Sequence, residues 1–238
     1  MTLKILTKNV LKGFALVIVL AGTGCQILNK ASSAPYSGET QKPIVFFGDS
    51  ITTGCNINGD GEDVLAKAFP AIFQMRVKAP VINAGVSGDS TTEALCRIQK
   101  DVLSRNPQAV IIFLGINDIL LNHDIWFINY NFEAILSNLV EADRKIYMVR
   151  FYPDSTLYEC MLYQGMNKQE QADLIVQLNG LLKNLKEKYN VEIIENIWDD
   201  VWGIHTPDGL HPSEAGHKLM GIRIFEALEP YLRSRDLL

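Results

Sequence analysis

The sequence predicts a three-layer α/β/α sandwich built on a parallel five-stranded sheet. Short apolar runs rich in Val and Ile recur along the chain, a pattern that suits strands buried on both faces. Stretches with helical apolar spacing lie between them. The length of 238 residues fits one such domain with a short leader and can bury a core without disulfide or metal staples.

Pro-Ile-Val-Phe-Phe at 43–47 is the first strand run and stops at Gly48. Val81-Ile82-Asn83 is the second, and residues 109–114 form the third, ending at Gly115. Residues 146–151 and 191–194 supply the fourth and fifth. Residues 64–77 place Leu65, Phe69, Ile72, Phe73 and Met75 at helical spacing. Residues 91–104 do the same with Leu95, Ile98, Val102 and Leu103. Helices are also expected over 132–142, 169–189 and 213–232. Alternating strands and helices with right-handed crossovers give a doubly wound, flavodoxin-like sheet of order 2-1-3-4-5. Ligands in such folds bind beyond the carboxyl ends of the strands.

The first 25 residues read as a separate object. Lys4, Lys8 and Lys12 precede a nine-residue apolar core, Gly13 to Ala21, too short to span a hydrocarbon layer of about 30 Å. Gly22-Thr23-Gly24-Cys25 follows and resembles a bacterial lipoprotein signal, with Cys25 as the lipidation site. Gly22 stands where such signals usually carry Leu, so a plain secretory signal and an uncleaved anchor are the other readings. Residues 26–41 read as a flexible tether, which leaves 42–238 as the folded domain. The expected location is therefore exported and membrane-anchored through an N-terminal lipid. A net charge of −5 gives no global basic field for nucleic acid. Cys55, Cys96 and Cys160 match no zinc spacing, and a disulfide among them is possible in an oxidising compartment.

Four stretches carry candidate chemistry, and each has a plain structural reading beside it. Gly48-Asp49-Ser50 puts a serine in the turn after the first strand, where its Oγ and N–H can face a substrate, or where it merely caps a helix. Asn83-Ala-Gly-Val-Ser-Gly88-Asp89 follows the second strand; Gly88 can offer a main-chain N–H, or the stretch is only a turn. It lacks the Gly-Lys-Ser/Thr of a phosphate loop. Gly115-Ile-Asn117-Asp118 follows the third strand and offers a neutral amide donor, or an Asx-turn. Asp118 reads as structural. In Asp208-Gly-Leu-His211-Pro212, Asp208 can reach the imidazole and turn its other nitrogen toward a serine. Pro212 suits a first helical position, which sets His211 at the cap of the last helix. The alternative is a surface cap with an incidental Asp.

Four histidines are candidates for the base. His123 adjoins Asp124 and reads as surface loop. His217, nearly two turns into the last helix, reads as solvated. His205 has no carboxylate at comparable spacing. His211 is the best base.

Taken together, the four stretches resemble the SGNH hydrolases, also called GDSL esterases or lipases, across residues 42–234. That resemblance implies Ser50 as nucleophile, His211 as general base and Asp208 as its orienting partner. It implies an oxyanion hole from the Ser50 N–H, the Gly88 N–H and the Asn117 amide, with no metal or organic cofactor. Asn-Ala-Gly-Val-Ser-Gly-Asp and Phe69-Pro70-Ala71 look most like the periplasmic thioesterase/lysophospholipase and arylesterase branch. The expected substrate is a small acyl ester, thioester or lysophospholipid. A carbohydrate O-acetyl esterase is the alternative within the class. A noncatalytic flavodoxin-like binding lipoprotein and a nucleotide-binding α/β protein are the other classes. The segment 154–166 has no counterpart in the resemblance and is expected to shape the acyl site.

Overall fold

The computed structural model describes residues 41–140, 144–152 and 168–238. Cys25, the leader, nearly all of the tether, Cys160 and the 154–166 segment lie outside the described residues. Five strands, β1 (Ile44–Gly48), β2 (Val81–Gly85), β3 (Ala109–Phe113), β4 (Lys145–Val149) and β5 (Glu192–Ile194), form one sheet in the order β2-β1-β3-β4-β5. Every pairing is parallel, as the buried Val/Ile runs predict. β1 and β3 are buried at all five positions.

The helices are α1 (Ser50–Thr53), α2 (Gly61–Lys67), α3 (Phe69–Gln74), α4 (Thr91–Asp101), α5 (Ile116–Leu120), α6 (Ile125–Leu139), α7 (Lys168–Tyr189) and α8 (Glu214–Ser234). Alternate strand residues point to opposite faces and sort the helices into layers. Phe46 meets Phe69 and Phe73 of α3 edge-on at ring distances of 5.6 and 5.2 Å. Phe47 points the other way, under the Arg97 guanidinium of α4. α3 packs on α8, whereas α4 packs on α6 and α6 on α7. The sheet is thus sandwiched, and each fully buried Phe or Ile of its strands stabilises the fold by about 1.5–3 kcal/mol.

Several boundaries differ from the sequence reading. The helix expected over 64–77 is two helices, broken at Ala68, which is extended (φ −64°, ψ 152°). Pro70 causes the break: it has no N–H to continue the first helix, and it suits the first turn of the next. α6 begins at Ile125, seven residues earlier than expected. Its buried stripe of Ile128, Phe132, Ile135, Leu136 and Leu139 is regular, but exposed Trp126 and Tyr130 blur it in the sequence. The helix near residue 91 stops at Asp101, followed by a 3₁₀ turn over Leu103–Arg105. α8 starts at Glu214 rather than Pro212, because Ser213 caps it by accepting from the Gly216 N–H. His211 therefore lies ahead of the cap, in a loop whose Ser213 N–H donates to the His205 carbonyl at 2.7 Å.

Candidate active site

Four turns at the carboxyl edge of the sheet hold the site. Gly48 and Gly85 pair across β1 and β2, which brings the two following turns side by side. A Cβ on Gly85 would lie 2.7 Å from the Thr53 N and 2.9 Å from the Asp49 carbonyl, so only glycine permits this approach. Asn83 fastens the same junction, donating to the Thr52 carbonyl at 2.8 Å and accepting from the Gly85 N–H at 3.0 Å.

Ser50 opens α1. Asp49 caps that helix, its Oδ1 accepting from the Ile51 N–H at 3.0 Å. The Asp49 side chain is wholly buried, and burial pushes its carboxyl up to about 7. Thr53 Oγ1 donates to the Ser50 carbonyl and meets Ser87 Oγ at 3.1 Å, tying the serine turn to the Ser87-Gly88-Asp89 turn. Gly88 has φ +86°, a conformation that L side chains rarely adopt. A Cβ there would meet nothing within 4 Å, so the backbone angle rather than crowding calls for glycine. Among the described residues, neither the Ser50 nor the Gly88 N–H has a hydrogen-bond acceptor.

Asn117 lies in the first turn of α5, and its Nδ2 donates to the Asp89 carbonyl at 2.9 Å. The amide's second N–H remains for another acceptor. Asp118, beside it, is buried and structural. It accepts from the Thr91 N–H at 2.8 Å and the Thr91 Oγ1 at 2.5 Å, and lies 3.4 Å from His123 Nδ1. Asn131 on α6 donates to both Thr91 and Thr92 hydroxyls, so α4, α5 and α6 are locked together under the site.

The fourth turn brings the partners of the serine. His211 Nε2 lies 2.8 Å from Ser50 Oγ, and His211 Nδ1 lies 2.7 Å from Asp208 Oδ2. Asp208 Oδ1 accepts from the backbone N–H groups of Leu210 and His211 at 2.9 and 2.7 Å. Partial burial pushes the Asp208 carboxyl up. The His211 ring and the two backbone N–H groups outweigh burial and hold the carboxyl well below the usual carboxylate range. An ionised Asp208 accepts from Nδ1–H, a tautomer assigned from the hydrogen-bond network, and leaves the Nε2 lone pair facing the serine hydroxyl. Asn56 Nδ2 reaches the His211 carbonyl at 3.3 Å, a second link between the serine segment and this loop. A hydroxyl held against an oriented imidazole, with N–H donors close by, suits nucleophilic acyl transfer.

His217 is not solvated as its position in the sequence suggests. It is fully buried, stacked on Phe69 at 5.8 Å, and its Nδ1 accepts from the Phe69 N–H. Burial pushes its pKa down to about 4, with the Cys55 backbone opposing, so the ring is a neutral packing element. His123 finds Asp118 rather than its neighbour Asp124 as a partner. Among the described residues no group of three or more His, Cys, Asp or Glu could hold a metal ion. Cys55 Sγ lies 3.4 Å from Ser87 Oγ beside the site, and Cys96 is exposed on α4.

The sequence reading missed Arg97. It donates to the carbonyls of Gly48 and Ala84 and to the Asp89 carboxylate, binding the ends of β1 and β2 to the Gly88 turn. One signal was present: Arg97 lies on the apolar stripe of α4, three residues after buried Ala94 and one before Ile98.

The profile of the GDSL-like Lipase/Acylhydrolase family matches residues 46–219. An acetylxylan esterase of Geobacillus stearothermophilus is 26% identical over 205 residues, which cover 74% of this chain and 89% of that protein. "Uncharacterized lipoprotein YqeF" of Bacillus subtilis (strain 168) is 35% identical over 89 residues, 36% of each chain. A crystal structure of the lipase/acylhydrolase from Enterococcus faecalis superposes with TM-score 0.63 at 25% identity, covering 80% of this chain and 97% of that one. Because the profile match runs from the first strand past the last of the four turns, and solved relatives share the fold, the chain is a hydrolase of the esterase type and belongs to the GDSL-like lipase/acylhydrolase family.

Proposed function

We propose that the chain is a serine carboxylic ester hydrolase that works through Ser50, His211 and Asp208 by way of an acyl-enzyme. The observation that carries this reading is the unbroken hydrogen-bonded run from Asp208 through His211 to Ser50 Oγ. Ser50 Oγ attacks the ester carbonyl carbon and passes its proton to His211 Nε2. The carbonyl oxygen takes up negative charge and is met by the Ser50 and Gly88 N–H groups and the free N–H of Asn117. Collapse expels the alcohol or thiol, which His211 protonates. A water that gives its proton to His211 then releases the acid and restores Ser50.

The substrates that fit the reading are acyl esters, thioesters or lysophospholipids. A second reading, a carbohydrate O-acetyl esterase, is favoured by the relative named acetylxylan esterase, which matches over most of its own length. Hydrolysis of p-nitrophenyl esters from C2 to C16, beside acetate release from acetylated xylan, decides between them. The first reading expects turnover to extend to C8 or longer. Turnover confined to C2, with acetate released from xylan, replaces it with the second. No turnover on any of these esters refutes both.

We also propose that the protein is exported and tethered to a membrane through lipid on Cys25. The Lys-rich start, the nine-residue apolar core and Gly24-Cys25 support it, as does similarity to a protein named as a lipoprotein. No helix among the described residues is long and apolar enough to cross a membrane. Full-length protein is expected in the membrane fraction, and Cys25→Ser is expected to release it or block its processing. A Cys25→Ser variant processed and retained like wild type rules the tether out.

A further inference from the structure

We propose that Arg97 is the positioning residue of the oxyanion site, a single guanidinium that holds the two turns carrying the Ser50 and Gly88 donors and, through Asp89, the Asn117 amide. The inference rests on the donor roles proposed for Ser50, Gly88 and Asn117. Arg97 lies on α4, outside the four turns, and its side chain is only 14% exposed. Its Nη2 donates to the Gly48 carbonyl at 2.9 Å, two residues before Ser50. Its Nη1 donates to the Ala84 carbonyl at 2.8 Å, four residues before Gly88, and reaches Asp101 at 3.2 Å. Its Nε donates to the carboxylate of Asp89, the residue after Gly88. The Asp89 backbone carbonyl in turn accepts from Asn117 Nδ2 at 2.9 Å. The guanidinium plane is held over the Phe47 ring, 4.5 Å from its centroid, which fixes the direction of the fork.

Each donor thus has a short path to the same cation. Gly48 leads to the Ser50 N–H, Asp89 adjoins the Gly88 N–H, and the Asp89 carbonyl anchors the Asn117 amide. An oxyanion site works only if its donors stand within a few tenths of an ångström of where charge develops. The β1–β2 ladder and the Val86 N–H, which donates to the Gly48 carbonyl at 3.0 Å, join the two strand ends to each other; the buried planar cation, with its diverging N–H groups, ties both ends to the Asp89 carboxylate. The cation itself is compensated by Asp89 and Asp101. Lysine offers one ammonium in place of the fork and cannot satisfy two carbonyls and a carboxylate in the same geometry.

A purely structural Arg97 would affect stability and leave turnover per folded molecule alone. A positioning Arg97 acts on kcat, because a displaced donor matters most when the oxyanion forms. The test is steady-state kinetics of folded Arg97→Lys on a short p-nitrophenyl ester, with folding followed by circular dichroism. We expect kcat to fall by about 10- to 100-fold with KM within threefold. In combination with Asn117→Ala the two losses should fall well short of multiplying, since both damage one site. A kcat within twofold of wild type, or losses that multiply fully, overturns the proposal. Should Arg97→Lys fail to fold, Asp89→Asn decides: it keeps the backbone carbonyl that holds Asn117 and weakens the grip of Arg97. There kcat should fall about 3- to 10-fold with KM unchanged, and a kcat within twofold of wild type overturns the proposal. Ser50→Ala with undiminished hydrolysis would instead refute the underlying site, so the two failures are distinguishable.

Discussion

Ser50→Ala is expected to lower kcat for ester hydrolysis by about 10⁴ or more while leaving the fold intact. The change removes one oxygen from a side chain whose backbone holds its place by other means. Asp49 still caps α1 through the Ile51 N–H, and Thr53 Oγ1 still donates to the Ser50 carbonyl. Neither contact uses the Ser50 hydroxyl. Among the described residues that hydroxyl meets only His211 Nε2, so its loss should shift the thermal midpoint by no more than a few degrees. The proposed oxyanion donors remain, which is why a small residual rate above the uncatalysed one is compatible with the assignment. A fluorophosphonate probe should label wild type and not the variant. Activity within threefold of wild type, in a folded variant, would remove Ser50 as the nucleophile.

Much of this arrangement was legible in the sequence because it depends on chain order. A parallel doubly wound sheet places the residue after each strand on one edge. The segments after β1, β2 and β3, with the loop beyond β5, therefore had to converge wherever the strand runs were read correctly. Asp208 and His211 were legible for a local reason: a spacing of three lets one carboxylate serve both the ring and the loop backbone. What escaped was decided by partners remote in sequence. His217 looks solvated on its own helix but is covered by Phe69, 148 residues away. Arg97 looks like an ordinary helix charge until Gly48, 49 residues earlier, is brought to it by the sheet. β2 runs on through Asn83 to Gly85 because the Asn83 amide is consumed by Thr52 and Gly85, which a polar residue at a strand end does not announce. The displaced start of α8 is of another kind. Pro212 and Ser213 are both good openings, and the serine hydroxyl settles the choice by meeting the Gly216 N–H.

The largest losses after Ser50 are expected at the proposed base, His211, and its partner, Asp208, and they should not add. His211→Ala removes the only side-chain contact of Ser50 Oγ among the described residues, and kcat should fall by about 10⁴ or more. Asp208→Asn keeps the shape and can still accept from the Leu210 and His211 N–H groups, so the loop should hold. What it removes is the charge that favours Nδ1–H. An asparagine N–H facing Nδ1 favours the tautomer with the proton on Nε2, which cannot take the serine proton, and kcat should fall by about 10³–10⁴. In the His211→Ala background the Asp208 change then has nothing left to orient and should cost less than threefold more. The other histidines separate chemistry from packing. His123→Ala and His205→Ala should keep kcat near wild type. His217→Ala should lower the thermal midpoint by leaving a cavity against Phe69, with kcat of the folded fraction little changed. Steady-state kinetics on all five single variants and the double variant, each with its melting curve, checks the set. A folded His211→Ala that retains activity, with His205 or His217 indispensable, would transfer the base to another ring and undo the Asp208–His211–Ser50 assignment.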